Sequence, residues 1–291
     1  MKVAILSDIH GNLPALEVVA AHVRRWGPDF TVVNGDVVNR GPRPRACWEF
    51  VQTRCDTDGW RMVSGNHEDY VAQWRDPDVP RQGAEFEVNR TSYWTYRQLG
   101  EWAPALVALA EEERLRGPAG TEIRITHGSM RGNTDGIYPE TSDRELAQQI
   151  APPPAVFCTA HTHRPLIRRL NGTLVVNSGS AGTTFDGDPR ASYAQLTWRG
   201  VGWQARIVRL SYDRARMAQD FVESGFMAEA GPLVRIFFEE WYRARPMLNR
   251  WTQQYQAAVL AGEIELASSV ATYLAEQGSI ESAVDCGPAA E

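Results

Sequence analysis

Short apolar runs that stop abruptly at polar residues recur along the chain up to about Leu210. Val3-Ala4-Ile5-Leu6 is the first and ends in Ser7-Asp8-Ile9-His10-Gly11-Asn12. Phe30-Thr31-Val32-Val33-Asn34 is the second and ends in Gly35-Asp36. Trp60-Arg61-Met62-Val63 leads into the polar turn Gly65-Asn66-His67-Glu68. Residues 121–126 alternate and end in His127-Gly128, and residues 155–159 end in Ala160-His161-Thr162-His163. Leu174-Val175-Val176 ends in Asn177-Ser178-Gly179-Ser180. Runs of this length without a helical period predict buried or half-buried strands. Residues 192–198 and 202–210 predict two closing strands around the Arg199-Gly200 turn.

Helical spacing fills the gaps. Leu13, Leu16, Val19, Ala20 and Val23 predict a helix over 13–26, with Pro14 in its first turn. A second short helix is expected over 45–52. From Asp69 to Glu113 the pattern is mostly helical and holds Trp74, Phe86, Tyr93, Trp94, Tyr96 and Trp102. Such rings pack as core by default; as a pocket wall they would stack on a nucleobase. Beyond Tyr212, apolar residues from Phe237 to Leu274 predict two or three more helices, interrupted at Pro246 and Gly262. Strands alternating with helices, then strands alone, predict an α/β (α+β) fold. The expected form is a four-layer α-β-β-α sandwich of two mixed sheets with a C-terminal helical extension. The expected division is a domain over 1–211 with an aromatic-rich insertion at about 70–113, helices over 212–277, and a disordered tail over 278–291.

Composition narrows the function classes. The 291 residues are 43% apolar and 23% charged, as in ordinary soluble proteins. A net charge of −6 offers no basic field for bulk nucleic acid. No long apolar span is present, and the first strand follows Met1 directly. The expectation is a cytoplasmic protein with no membrane partner. Cys47, Cys55, Cys158 and Cys286 lack metal-like spacing and are expected to be reduced.

The strand ends carry the chemistry. Five of the six histidines, two aspartates and one asparagine fall there. His22 lies inside the first helix and reads as a surface or packing histidine. Asp8 and His10 are two apart, so at an extended strand end they point the same way. Asp36 ends an apolar strand, where open α/β sheets place their ligands. Gly65 permits a sharp turn, Asn66 offers a neutral oxygen, and His67 offers an imidazole that titrates near neutrality. Together Asp8, His10, Asp36, Asn66, His127, His161 and His163 can bind two divalent ions. A bridging carboxylate would hold them roughly 3.5–4 Å apart, lower the pKa of a shared water, and grip both sides of an in-line attack at phosphorus. Mixed nitrogen and oxygen ligands suit Mn, Fe, Co, Ni or Zn better than Mg alone. Arg40 presents a fork of donors suited to phosphate oxygens.

In order and spacing, Asp-x-His, Gly-Asp, Gly-Asn-His-Glu, the lone His-Gly and His-x-His resemble the calcineurin-like metallophosphoesterases over about the first 210 residues. The loop from Gly35 to Gly41 is similar to that of serine/threonine phosphatases and bacterial symmetrical diadenosine tetraphosphatases. The segments Asn177-Ser178-Gly179-Ser180 and Asp186-Gly187-Asp188-Pro189-Arg190 are more like the YfcE-type phosphodiesterases. The resemblance implies a first metal on Asp8, His10, Asp36 and His163, and a second on Asp36, Asn66, His127 and His161, with Asp36 bridging. It implies that His67 is a general acid at the leaving-group oxygen, and that Arg40, with Asn66 and His67, binds the substrate phosphate. Two positions depart from the family. Asn39 stands where protein phosphatases carry an aspartate that orients the catalytic histidine, so that dyad is expected to be absent. Ala160 replaces a glycine before His161, which ordinary backbone angles would tolerate.

The implied function is a dinuclear phosphoesterase acting on a small phosphodiester or nucleotide. A phosphomonoester or protein serine/threonine phosphatase is the first alternative, favoured by the Arg40 loop and disfavoured by Asn39. A non-catalytic scaffold on the same fold, as in the retromer subunit, is the second; the intact ligand set argues against it. The acidic balance disfavours a nuclease for long chains. The helical face of Phe237, Phe238, Trp241, Trp251 and Tyr255 would pack on the catalytic domain, narrow the site, or form a homodimer contact. In the latter two cases Arg235, Arg243 and Arg245 would reach an extended phosphate chain.

Overall fold

The computed structural model describes residues 1–278. The first half runs β1 (Lys2–Leu6), α1 (Leu13–Trp26), β2 (Phe30–Asn34), α2 (Pro44–Asp58), β3 (Arg61–Val63), α3 (Asn66–Ala72) and α4 (Ala84–Leu99). Then come β4 (Glu112–Arg116), β5 (Glu122–Thr126), α5 (Asp143–Gln149), β6 (Val156–Thr159), β7 (Leu166–Leu170), β8 (Thr173–Asn177), β9 (Ala191–Trp198) and β10 (Trp203–Leu210). They form two five-stranded mixed sheets, ordered β10-β9-β1-β2-β3 and β4-β5-β6-β8-β7. In the first, β1, β2 and β3 are parallel while β9 and β10 run antiparallel to their neighbours.

Side-chain alternation along the strands creates the layers. Val3 and Ile5 of β1 meet Val156 and Cys158 of β6 and Leu174 and Val176 of β8 between the sheets. Ala4 and Leu6 face the other way, onto Leu16, Val19 and Val23 of α1 and Trp48 and Val51 of α2. Phe157 and Val175 face outward from the second sheet onto Leu146 of α5. Both faces of the central strands are therefore buried, which is why they read as continuous apolar runs.

Several expectations need correction. α2 extends to Asp58, beyond the expected 45–52. β4 and β7 are partly exposed edge strands; β4 is mostly charged and β7 is broken by Arg168-Arg169, so neither reads as an unbroken apolar run. Gly65-Asn66-His67-Glu68 is a helix start: Gly65 is the N-cap and Asn66 opens α3. Asp8 and His10 are not at an extended strand end; their φ angles are +53° and +48°. Cys47, Cys55 and Cys158 are free thiols, and Cys286 lies outside the described residues.

After Tyr212 the chain forms more pieces than the two or three helices expected: α6 (Arg214–Glu223), α7 (Phe226–Glu229), α8 (Val234–Arg243), α9 (Leu248–Trp251), α10 (Ala257–Leu260) and α11 (Leu266–Glu276). A π-helical turn, Thr252–Gln256, joins α9 to α10. Phe221, Phe226, Phe237, Trp241, Trp251 and Tyr273 form a core here that also takes in Trp94 of α4. The face that raised the homodimer expectation is thus largely buried within the chain. The extension is fastened to the sandwich by Arg43 Nε donating to Asp220 Oδ1 (2.6 Å), Arg216 Nη1 donating to Glu17 Oε2 (2.6 Å), and Asn12 Nδ2 donating to the Tyr212 hydroxyl (3.2 Å). Beyond Gly278, the expected tail lies outside the described residues.

Truncation after Ser211 is expected to lower both solubility and the unfolding midpoint. It would bare Trp94 and strip Arg43 and Glu17 of their partners, and each buried aromatic side chain is worth about 1.5–3 kcal/mol. Chemical denaturation of the soluble fraction checks this. An unchanged midpoint would mean that the helices stabilise only themselves.

Candidate metal centre

Among the described residues ten non-glycine positions have positive φ, and seven of them lie around one site: Asp8, His10, Asp36, Asn39, Arg40, His161 and His163. Left-handed backbone costs roughly 1–2 kcal/mol per residue, so other contacts must hold it. Here the loops after β1 and β2 are laced together. Asp8 N donates to Gly35 O (3.1 Å), Ile9 N and His10 N to Asp36 O (2.8 and 3.0 Å), and Gly11 N to Val37 O (3.0 Å). Two glycines permit the close approach. A Cβ at Gly41 would stand 1.8 Å from His10 O, and one at Gly182 would stand 1.8 Å from Ile9 O.

Glu68 gathers the loops from below. Its two carboxylate oxygens accept from Gly65 N (2.8 Å), Asp36 N (2.7 Å), Val37 N (2.8 Å) and Val38 N (3.2 Å). Burial and Asp36 push its carboxyl up to about 7. Both oxygens nonetheless act only as acceptors, so the carboxylate is the form this geometry holds. Sequence reasoning assigned Glu68 no role. Its only signal was an acid directly following Asn66 and His67.

The seven residues named as metal ligands converge. One ligand atom from each of Asp8, His10, Asp36 and His163 lies within 4.8 Å of all the others. His127 Nε2 lies 3.2 Å from Asp36 Oδ2 and 3.1 Å from Asn66 Oδ1, and His161 Nδ1 lies 2.9 Å from the same Asn66 oxygen.

Backbone carbonyls orient the rings. His10 Nδ1 donates to Asn39 O (3.3 Å), His127 Nδ1 to Asn34 O (2.8 Å), and His163 Nδ1 to Thr183 O. In the neutral rings the inward Nε2 atoms therefore carry lone pairs. His10 Nε2 and His163 Nε2 face each other at 3.2 Å. Asp8 Oδ1 and Asp36 Oδ2 are buried with no hydrogen bond. Acceptors that converge without a donor repel one another unless a cation lies among them, so this donor set fits divalent metal.

Proton affinities follow. Burial pulls His10 down to about 3 and His161 to about 4. Burial also opposes a charge on His127, but Asp36 and Asp8 outweigh it and push this histidine up to about 10.

A sequence model for the calcineurin-like phosphoesterase superfamily domain matches residues 1–200. The chain belongs to this superfamily. It is 26% identical over 197 residues to phosphodiesterase YfcE of Escherichia coli, which spans 67% of this chain and 87% of that protein. An uncharacterized protein of Methanocaldococcus jannaschii is 22% identical over 239 residues, 76% of this chain and 92% of its own length. Among solved structures, a metallophosphoesterase from Sphaerobacter thermophilus has a TM-score of 0.66 at 28% identity, covering 84% of this chain and 99% of its own. A hypothetical protein from Pyrococcus horikoshii shares the fold with a TM-score of 0.68 at 20% identity, covering 80% and 97%.

Within this calcineurin-like site, the two departures have definite outcomes. Ala160 lacks a positive φ and sits buried, its amide donating to His127 O (2.8 Å). Asn39 retains a contact with His67 that the loss of the aspartate dyad led us not to expect. Asn39 Oδ1 accepts from Arg40 N (2.9 Å), which turns Asn39 Nδ2 towards His67 Nδ1 (2.8 Å). His67 Nδ1 is then the acceptor, and its hydrogen sits on Nε2. Burial pulls its pKa well below the usual histidine value. His22 accompanies none of these groups; its Nδ1 lies 2.7 Å from the Tyr193 hydroxyl.

The cluster of candidate ligands opens into a cavity of about 290 Å³. Arg40, His67, Tyr70, Tyr138 and Phe185 line it, with Pro246 and Asn249 from the C-terminal extension. Phe185 stacks on His163, ring centroids 4.4 Å apart, and so fixes that ring's plane. Arg40 and His67 were read from the sequence; Tyr138 and Phe185 went unread because they come from loops with no motif of their own, and Tyr70 and Asn249 because they sit in short helices without one.

Proposed function

We propose that this chain is a metal-dependent hydrolase of a small phosphodiester or nucleotide. Two divalent ions (Mn, Fe, Zn, Co or Ni) would be held by Asp8, His10, Asp36 and His163 and by Asp36, Asn66, His127 and His161. The observation that carries the reading is the convergence of donor-free acceptors on Asp8, Asp36, His10 and His163 beside a cavity lined by Arg40 and His67. Its likeness to phosphodiesterase YfcE supports a diester. Bound ions would supply Lewis acidity and a nucleophile from water. The chain's own residues do the rest. Arg40 faces the cavity to bind non-bridging phosphate oxygens. The Asn66 amide places its oxygen at the metal side. His67 presents Nε2–H to the leaving-group oxygen, while Asn39 keeps its ring plane and tautomer.

Turnover of a panel of mono- and diesters by Mn²⁺-loaded protein tests this reading. Activity on diesters above monoesters is expected. Turnover of neither would favour the scaffold alternative, and monoester preference would favour the phosphatase.

His67→Ala is expected to slow alkyl esters far more than nitrophenyl esters, because an alkoxide needs a proton and a nitrophenolate does not. General acid catalysis is worth about 10²–10⁴-fold, which sets the size of the expected difference between the two esters. Metal content should be unchanged. Equal losses on both esters would leave His67 only a binding role.

A further inference from the structure

A second cavity of about 200 Å³ adjoins the first. Arg40, His67 and Tyr70 line both, so the two cavities meet at these three side chains. None of the seven candidate ligands lines the second cavity. A path from the metal side past His67 therefore leads into it, away from the ligands. Beyond Asn39, Arg40, His67 and Tyr70, its walls come from α4 and the C-terminal extension. Phe237 and Leu248 supply apolar surface, and Asn89 of α4 lines the cavity together with Thr252 and Gln256 of the extension. The side chains of Thr252 and Gln256 make no hydrogen bond among the described residues, and these two residues begin and end the π-helical turn. Such turns recur at functional sites because they re-aim side chains out of helical register. The Arg40 guanidinium lies 5.1 Å from the Phe237 ring and 3.9 Å from Glu240 Oε2, so it stands between the junction and the helices. The joint volume of the two cavities falls in the range of about 300–1,000 Å³ usual for small-molecule sites.

We propose that the second cavity is the leaving-group subsite, and that it takes a planar, hydrogen-bonding group of nucleobase size. This rests on the phosphoesterase reading above. With phosphorus at the metal side and Arg40 on its oxygens, in-line departure past His67 carries the leaving group into this cavity. Aromatic and aliphatic walls suit the faces of a planar ring, whereas the free Gln256 amide and Thr252 hydroxyl suit its polar edge. The extension would thereby select substrates without touching the metals.

Calorimetric titration of the full-length Mn²⁺-loaded protein tests this, with inorganic phosphate first and then adenosine in saturating phosphate. One equivalent of each is expected to bind. Asn89→Trp, on the exposed side of α4, should fill the cavity and weaken adenosine at least about tenfold with phosphate affinity unchanged. Gln256→Leu keeps the volume, removes the amide, and should weaken adenosine severalfold. Phosphate binding without adenosine binding overturns the subsite and leaves the phosphoesterase reading standing. So does adenosine binding that is indifferent to both variants. Equal affinity for glucose overturns the planar assignment. Failure of phosphate itself to bind overturns the phosphoesterase reading and the subsite with it.

Discussion

Replacing Asp36 by Ala is expected to abolish turnover by roughly 10³-fold or more and to reduce metal from two equivalents to less than one. A metal's stabilisation of the transition state is worth several kcal/mol, and about 1.4 kcal/mol is a factor of ten. Asp36 is the carboxylate nearest both halves of the cluster. Its Oδ2 lies 3.2 Å from His127 Nε2 and 3.7 Å from His10 Nε2, and it has no hydrogen-bond donor. Its other oxygen is held by His67 N at 2.9 Å. The loss should therefore reach both ligand groups, unlike loss of His163, which sits beside only one. Elemental analysis of protein purified without chelator measures the metal, and diester turnover measures the rate. His22→Ala is the control and should change neither. Two equivalents retained by the Asp36 variant would remove the bridge from the site.

The second large effect is on folding. Glu68→Ala is expected to destabilise the metal-free protein by about 4 kcal/mol or more. Four backbone N–H groups lose their acceptor at once, and a buried unsatisfied donor costs about 1–3 kcal/mol. Water entering the vacated space would recover part of that. The Asp36–Val38 segment these donors hold also fixes His10 through Asp36 O, so metal retention should fall as well. Glu68→Gln keeps the shape but turns an amide NH₂ towards N–H donors, and should cost about 2–3 kcal/mol by the same reasoning. Denaturant unfolding read by tryptophan fluorescence measures both variants. A wild-type midpoint for Glu68→Ala would show that the lacing between the β1 and β2 loops suffices alone. The contrast with Asp36 is diagnostic: Asp36→Ala should lose metal with the fold retained, because it removes a buried charge rather than a shared acceptor.

Much was legible in the sequence because it is written locally. A strand buried on both faces must be an unbroken apolar run, so β1, β2, β6 and β8 stood out with their ends. Polar residues that terminate such runs lie at the strand ends of a sheet, and this alone groups Asp8 and Asp36 after β1 and β2 and His127 and His161 after β5 and β6. The edge strands β4 and β7 did not stand out, since partial exposure removes the apolar signal.

What only the tertiary structure decided depends on contacts between distant segments. The left-handed backbone at Asp8, His10, Asp36, His161 and His163 has no local cause; it is imposed by bonds between loops and by the close approach of Gly41 and Gly182. The Asn39–His67 contact follows from an amide turned by Arg40 N, which no spacing rule encodes. Glu68 looked like one more acid until four amides from two loops were seen to share it. The second cavity needs α4 beside α8, α9 and the π-helical turn, elements more than a hundred residues apart. Apolar periodicity shows that each helix has a face to bury, but which surface buries it is set by shape and packing across the whole chain.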